Sequence, residues 1–278
     1  MTGSLSPIGP LAIVLAAAGL TLAGCQRQEP APAPKPVEAA PPVVVPPAPP
    51  LPPPALGRAD ILAAIEVAAS DYAAGRAAQG QLIAGRRFLI RQPFGCLDRD
   101  GEDPADGLAN WSWGKTRKTI VLSLKPADWK ESALAEAGDW EAVEGFWLSR
   151  PWLKDETCPA GQWSQGNEGE AEAPPPVSTP QTVGVAAVFE HGGSRLGRRS
   201  GRAYAFTVRG EGDQPPPAPV AGYRLVLEGR LGAFDDGRAI HCRASGPDQR
   251  PVCIAAVLLD RVAFEDAGGA VLSEWRGG

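Results

Sequence analysis

Tryptophans are the side chains whose spacing in this sequence most favours a binding surface. Seven of the eight lie between Trp111 and Trp163. Trp111 and Trp113 are two residues apart, so a strand would present both indoles on one face, and Trp147 and Trp152 belong to a second dense apolar patch. An indole combines a flat apolar surface with one N–H donor, which suits stacking on sugars or peptides. Filling of a small core is nevertheless the favoured interpretation, and a binding face is the alternative.

Four arginines and no acid fall within eight residues of one glycine-rich segment: Arg195, Arg198, Arg199 and Arg202. Guanidinium groups form forked hydrogen bonds to carboxylates and phosphates. We therefore group these arginines with the four tryptophans at 111, 113, 147 and 152 as a candidate binding face for the anionic groups of lipids or wall polymers. For the arginines, a solvated hairpin tip is the favoured interpretation and anion binding is the alternative.

Carboxylates near the tryptophans raise a catalytic alternative. Glycoside hydrolysis needs two carboxyl groups about 5 to 9.5 Å apart, and Glu141, Glu144 and Asp155 lie close to the tryptophans in sequence. An envelope glycan hydrolase or transferase is therefore the alternative to a binding function. A separate acidic run from Asp98 to Asp106 lacks the glycine position and the closing glutamate of a calcium loop, which favours a solvated loop.

The two histidines predict no catalytic residue. His191 begins a His-Gly-Gly-Ser stretch similar to the oxyanion loop of esterases, but the sequence has no Gly-x-Ser-x-Gly nucleophile elbow, so a turn is favoured. His241 is expected in a packed or surface position on a strand. Because there are only two histidines and no Cys-x-x-Cys pair, no metal site is expected, and no glycine-rich phosphate loop follows a strand, so no cofactor is predicted.

The N-terminus carries an export signal. Residues 11–23 form an apolar run of 13 residues, the length of a signal-peptide core and too short to span a bilayer. The run ends in Leu22-Ala23-Gly24-Cys25, which resembles the lipobox of bacterial lipoproteins. The resemblance implies a signal peptide over residues 1–24 and a Cys25 that is acylated and inserted in membrane lipid. A plain cleaved signal peptide is the alternative.

Residues 25–56 are expected to be a tether. Proline fills 13 of the 25 positions from Pro30 to Pro54, a composition that favours extended polyproline II helix with a reach of about 80 Å. A spacer that holds a folded body away from the lipid surface is the favoured interpretation, and a proline-rich ligand for a partner is the alternative. Gln26, not Asp, follows the cysteine; for a Gram-negative host, the resemblance to lipoproteins then implies the outer membrane, facing the periplasm.

The remaining four cysteines predict two disulfides. An even number of cysteines in an exported chain favours a disulfide framework, with three possible pairings. Cys242 and Cys253 flank a Gly-Pro-Asp-Gln turn centred between them, so a hairpin would place them opposite each other. By elimination Cys96 pairs with Cys158.

The hydrophobic pattern of residues 57–278 predicts one amphipathic helix followed by strands. The apolar stripe from Ile61 to Tyr72 indicates a helix over about residues 60–78, ended by Gly75 or Gly80. A short helix is expected around residues 126–136. The expected strands are 86–91, 119–124, 142–148, 183–190, 203–209, 223–231, 238–243, 252–264 with a bend or break inside, and 270–275.

These elements predict a β-rich α+β fold in two domains. A helix and a small sheet are expected over residues 57–163, and an antiparallel β domain, sandwich or barrel-like, over residues 183–278. Residues 164–182 are polar, acidic and proline-rich, which favours a linker.

Composition excludes some classes of function. The formal net charge of −5 argues against a nucleic-acid partner. The sequence therefore predicts a lipid-anchored cell-envelope protein that is a non-catalytic binding or scaffolding module, with an envelope polymer or protein as its partner.

Overall fold

The computed structural model describes residues 52–76, 83–96, 105–135, 138–159, 181–195, 197–212 and 214–277. The expected signal peptide, Cys25, most of the expected tether and most of the acidic run at 98–106 lie outside these residues. The described chain contains one helix and eleven strands: α1 Arg58–Ala73, β1 Arg87–Phe94, β2 Ala109–Trp113, β3 Thr119–Leu124, β4 Ala127–Asp128, β5 Trp140–Trp147, β6 Val183–Glu190, β7 Tyr204–Arg209, β8 Tyr223–Leu231, β9 Ile240–Arg243, β10 Val252–Asp266 and β11 Val271–Arg276.

The strands form two sheets. The large sheet has eight strands in the order β1-β8-β10-β6-β5-β4, with β9 and β11 also paired to β10. The small sheet is antiparallel and has the order β2-β3-β7. The β-rich class is therefore confirmed. The large sheet is mixed and not purely antiparallel, because β6 and β10 pair in parallel from Val183 beside Cys253 to Ala187 beside Val257.

β10 is the central strand of the large sheet and pairs with four other strands. Its first half pairs with β6 and β9, and its second half pairs with β8 and β11. The partners change between Ala255 and Arg261, and the register with β8 shifts between Leu259 and Arg261. A bulge of this kind bends a strand, and it confirms the bend predicted inside residues 252–264.

Both faces of the middle of the large sheet are buried. Successive residues of β6 point to opposite sides, so Val185 joins the main core while Ala186 joins a second cluster that includes Trp129. The main core also contains residues of α1 and of the small sheet, such as Ile65 and Leu122. One core therefore holds together the helix and both sheets.

α1 begins at a buried arginine. Gly57 precedes the helix, and its backbone N–H donates to the Asp60 carboxylate at 2.9 Å. The Arg58 side chain is 2% exposed and donates to Gln92 Oε1 in β1 and to the carbonyl oxygens of Ser149, Arg150 and Leu153. Arg58 therefore joins the start of the helix to β1 and to the turn that follows β5.

The end of the expected tether lies along β1. The backbone N–H of Leu56 donates to the Arg87 carbonyl, and the Leu89 N–H donates to the Leu56 carbonyl, a parallel bridge opposite Phe88. β1 is an edge strand of the large sheet and carries Pro93, a residue that edge strands tolerate. Leu56 thus covers part of that edge.

Both predicted disulfides are present. Cys242 and Cys253 lie directly opposite each other in β9 and β10, with their Cα atoms 4.1 Å apart. The turn between them is closed by the Gln249 N–H, which donates to the Gly246 carbonyl. Cys96, just after the end of β1, pairs with Cys158 across 62 residues.

Two expectations about the fold are wrong. Residues 126–136 form no helix where they are described: the chain makes the short strand β4 and then turns, because β4 pairs with β5 and Trp129 fills the second cluster. Residues 164–182 do not separate two domains. Residues 51–278 form one compact unit, since β5 pairs with β6 and β1 pairs with β8 across that stretch.

No helix among the described residues has the length and apolar character needed to cross a bilayer.

Candidate functional site

The four tryptophans of the predicted binding face do not form one surface. Trp111 is 1% exposed and belongs to the main core, so its assignment to a binding face is wrong. Trp113 and Trp147 are half-buried: Trp113 contacts the edge of Trp111, and Trp147 contacts Trp129 at a ring distance of 4.6 Å. Trp152 is 58% exposed and lies on the turn that Arg58 holds. Packing against neighbouring side chains thus covers Trp111 and much of Trp113 and Trp147, whereas Trp152 is exposed.

The arginines of the predicted face lie on the connection between β6 and β7. We call residues 191–203 the arginine loop; residue 196 is not described. Arg195 and Arg198 both pair with Glu141 of β5, at 2.7 and 2.6 Å. The backbone N–H groups of Arg199 and Ser200 donate to the buried carboxylate of Glu144, at 2.8 and 2.7 Å. The loop is therefore held on β5 by two glutamates.

The ion pairs shift the pKa of Glu141. Partial burial raises the pKa of this carboxyl, but hydrogen bonds and charges from Arg195 and Arg198 outweigh the burial, so the pKa lies below its usual range. Glu141 is thus an anion that anchors two cations.

The carboxylates of the catalytic alternative have structural partners. Glu144 lines a pocket of about 310 Å³ together with Asp128, which lies opposite it in β4, but tryptophan does not line that pocket. Both oxygens of Glu144 accept backbone N–H groups, and Asp155 is exposed on the segment after β5. A tryptophan-walled cleft with two free carboxyl groups is therefore not formed around Glu141, Glu144 or Asp155.

Arg199 differs from Arg195 and Arg198 because no carboxylate among the described residues contacts its guanidinium. That group donates to the Ala203 carbonyl at 2.7 Å and lies over the Tyr204 ring, 4.6 Å from its centre. The Tyr204 hydroxyl in turn donates to the Gly197 carbonyl. Burial raises the pKa of Tyr204, so this phenol stays protonated. Arg202 is exposed and donates to the Arg199 carbonyl.

Arg198 and Arg199 line a pocket of about 210 Å³ beside the end of β11, which we call the arginine pocket. Two further arginines and two aromatic residues complete its charged and aromatic walls, and none of its lining residues is acidic. The residues that carry these side chains are Arg198, Arg199, Arg261, Arg276, Tyr204 and Trp275. The pocket is therefore positively charged and partly aromatic.

Two arginines of the pocket are direct cross-strand neighbours. Arg261 of β10 lies opposite Arg276 of β11, and like charges in such positions destabilise a sheet. The Glu274 carboxylate bridges them: Oε2 accepts from Arg261 Nε at 2.8 Å, and Oε1 accepts from Arg276 Nε at 3.1 Å. Hydrogen bonds from Arg276 and then Arg261 lower the pKa of Glu274.

The cluster around the pocket carries an excess of positive charge. Hydrogen bonds and ion pairs join its arginines to the carboxylates of Glu141, Glu144, Glu228 and Glu274, and Glu228 is shared with Arg87. The six guanidinium groups are those of Arg195, Arg198, Arg199, Arg202, Arg261 and Arg276. Among these groups, six guanidinium cations stand against four carboxylates, in a chain whose net charge is −5.

Sequence reasoning identified two arginines of the pocket and missed the other side chains. Arg261, Trp275 and Arg276 come from two strands of a hairpin, and their assembly depends on register. The signal was present in Gly268-Gly269, a turn sequence that places β11 against the end of β10.

The histidines and metal-ligating side chains do not form a second centre. His241 stacks on Phe234 at 3.9 Å, and its Nε2 lies 3.0 Å from the Asp236 carboxylate. His191 is exposed and lies 3.3 Å from Asp139. In the part of the chain that the structure describes, no group of three or more histidine, cysteine or acidic side chains is arranged to hold a metal ion.

No family model, curated protein or solved structure matches this chain.

Proposed function

We propose that this chain is a lipid-anchored, non-catalytic binding module of the cell envelope, and that its arginine pocket binds an acidic polysaccharide. In this proposal Cys25 is acylated and holds the chain in the outer membrane facing the periplasm. The proline-rich tether then separates the folded body from the lipid.

The observation that carries the binding function is the arginine pocket itself. Four guanidinium groups line it; those of Arg198, Arg261 and Arg276 pair with glutamates, whereas that of Arg199 contacts no described carboxylate. One guanidinium binds a carboxylate or a phosphate in a forked geometry. The pocket volume of about 210 Å³ is below that of pockets for drug-sized ligands, which begin near 300 Å³. A pocket of this size suits one acidic unit of a polymer.

The aromatic wall favours a sugar as that unit. Trp275 is half-buried: its ring packs against Tyr204 and Phe264, and its exposed part lines the pocket. That part of the indole offers apolar surface to a sugar ring. The two disulfides support an oxidising compartment, since structural disulfides persist outside the cytosol.

Replacement of Arg199 tests this function. We expect Arg199→Gln to weaken binding of the full-length chain, purified in detergent, to polygalacturonate by about tenfold, because one charge-assisted contact is lost. The Arg199 guanidinium contacts no described carboxylate, so the substitution leaves no orphaned anion. Isothermal titration calorimetry at physiological salt measures the affinity.

Arg250→Gln is the matched control. Arg250 is exposed in the turn between β9 and β10, and its replacement changes the net charge by the same amount. Equal affinities of the Arg199 and Arg250 variants, or no binding by the unsubstituted chain, would contradict the proposed function.

A further inference from the structure

We propose that the binding site continues from the arginine pocket into a neighbouring apolar pocket, and that the acidic polysaccharide it binds carries short acyl esters. The apolar pocket holds the acyl group beside the sugar whose carboxylate meets Arg199. This inference rests on the proposed function, and it names the class of polysaccharide.

The apolar pocket lies at a gap in the large sheet. On one side of β10, pairing with β6 ends at Val257, and pairing with β11 begins only at Arg261. Residues 258–260 therefore face no described strand on that side, while β6 continues along β5 to Glu190. A pocket of about 220 Å³ lies between the diverging strands, and we call it the fork pocket.

The lining of the fork pocket is mostly apolar. Its six hydrophobic lining residues are Ala187, Val188, Phe189, Val257, Leu258 and Leu259. Ser194, Asp260 and two glycines complete the lining, and Asp260 is the one charged residue in it. A second anionic group of the ligand would be repelled by Asp260, whereas an apolar group gains from leaving water. The fork pocket therefore favours a neutral, apolar substituent.

The fork pocket and the arginine pocket share a wall. Gly197, Leu259 and Gly277 line both pockets. Two of these three residues have no side chain, and a Cβ at Gly197 would lie 3.8 Å from the Gly277 Cα and 3.9 Å from the Leu259 carbonyl oxygen. The wall is therefore mainly backbone, so one ligand can place neighbouring groups on its two sides.

Tyr204 places Arg199 close to this wall. The Arg199 guanidinium lies over the Tyr204 ring, and the Tyr204 hydroxyl donates to the Gly197 carbonyl at 3.2 Å. The cation that contacts no described carboxylate is thus separated from the wall by one tyrosine side chain. A sugar that bears both a carboxylate and an acyl ester matches this combination of a cation and an apolar pocket.

Acylated polymers test this match. We expect the full-length chain in phosphatidylcholine nanodiscs to bind O-acetylated polygalacturonate about threefold, and O-butyrylated polygalacturonate about tenfold, more tightly than the unmodified polymer, because each buried methyl or methylene group adds up to about fourfold. Calorimetry at physiological salt measures the affinities. Nanodiscs replace detergent, since detergent would compete for an apolar pocket.

Replacement of Leu258 tests the fork pocket itself. Leu258 lines the pocket and is 54% exposed, so Leu258→Thr spares the core. We expect this variant to reduce the gain from butyrylation to about threefold or less. Val271→Thr is the matched control: Val271 is 50% exposed on β11 and lines neither pocket, so the gain stays near tenfold. Near-UV circular dichroism of each variant checks that the fold is retained.

A neutral polymer tests whether the two pockets act together. We expect O-butyrylated dextran to bind at least about tenfold more weakly than O-butyrylated polygalacturonate, because it offers no anionic group to Arg199. Equal affinities for the two polymers would overturn the joint recognition of a carboxylate and an acyl group.

The outcomes separate this inference from the proposed function. If the unsubstituted chain binds polygalacturonate and Arg199→Gln weakens that binding, but acylation brings no gain, the function stands and the inference is wrong. A gain that the Leu258 and Val271 variants retain equally would also overturn the inference. If none of the polymers binds, both proposals are overturned.

Discussion

Arg58 is a buried cation that holds the backbone of the turn after β5. Its guanidinium is almost fully buried, yet its hydrogen-bond partners are neutral: one side-chain amide and three carbonyl groups. Burial lowers the pKa of Arg58, and the nearby negative charge of Glu156 opposes that effect, but an arginine remains charged in a protein. The carbonyls it holds belong to the turn that displays Trp152.

Loss of this cation should destabilise the whole fold. We expect Arg58→Met to lower the free energy of unfolding by about 3 kcal/mol, because buried carbonyl groups lose charge-assisted donors. Urea denaturation followed by tryptophan fluorescence measures the loss. Arg230→Met, at an exposed position of β8, should stay within about 0.5 kcal/mol of the unsubstituted chain. A similar loss in both variants would refute the buried-cation account.

At the scale of elements, the arginine loop depends on β5 for its position. Glu141 holds its two arginine side chains, and Glu144 holds its backbone. Gly197 and Gly201 adopt φ values of 82° and 79°, which glycine accepts without strain. The loop is thus shaped by its glycines and fixed by two carboxylates.

The attachment of the loop should depend on pH. The pKa of Glu141 is lower in the folded chain than its ordinary value, so its stabilising effect is complete above about pH 4.3 and is lost as the pH falls through the lowered pKa. We expect the chain to be more resistant to urea than Glu141→Gln at pH 7, with the difference shrinking only below about pH 4.3. A difference that is absent at pH 7, or unchanged at about pH 2, would contradict this role.

Elements that depend on local pattern were predictable from the sequence. The bounds of β3, β6 and β8 agree with prediction, and the helix ends before Gly75. The parallel pairing of β6 with β10 was not predictable, because it joins segments about seventy residues apart through contacts that leave no local pattern. The arginine pocket combines loop residues that follow β6 with residues of β10 and β11, and the same long-range pairing brings them together. Sequence analysis therefore identified only its loop residues, Arg198 and Arg199.

Trp111 illustrates the same limit for a single side chain. The strand alternation that places Trp111 and Trp113 on one face was visible in the sequence. Which face of β2 meets the main core depends on how the small sheet packs against the large one. Tryptophan suits a core as well as a binding surface, so composition alone does not decide between them.

At the scale of the whole molecule, the chain folds as one unit around β10. Strands from before and after residues 160–180 pair with one another in the large sheet. Each disulfide joins two cysteines on the same side of that stretch, so neither one links the two parts. The parts are held together by strand pairing and by the shared core.

A cut in that stretch should therefore leave the molecule intact. We expect a full-length chain with a protease site inserted after position 170 to elute as one species after cleavage, in size-exclusion chromatography without reductant. Addition of urea should then separate the two fragments, because noncovalent contacts alone join them. The uncleaved chain with the same insertion is the control. Separation without urea would indicate two independent domains.

The bridge between Leu56 and β1 also determines how the body would respond to mechanical load. A pull on the chain before Leu56 would first strain the two backbone hydrogen bonds that Leu56 makes and the contact of Arg86 with the Pro54 carbonyl. Behind them, Arg58 clamps the start of α1 to β1 and to the turn after β5. Such a pull would thus load the edge of the large sheet and Arg58 before the later residues of α1.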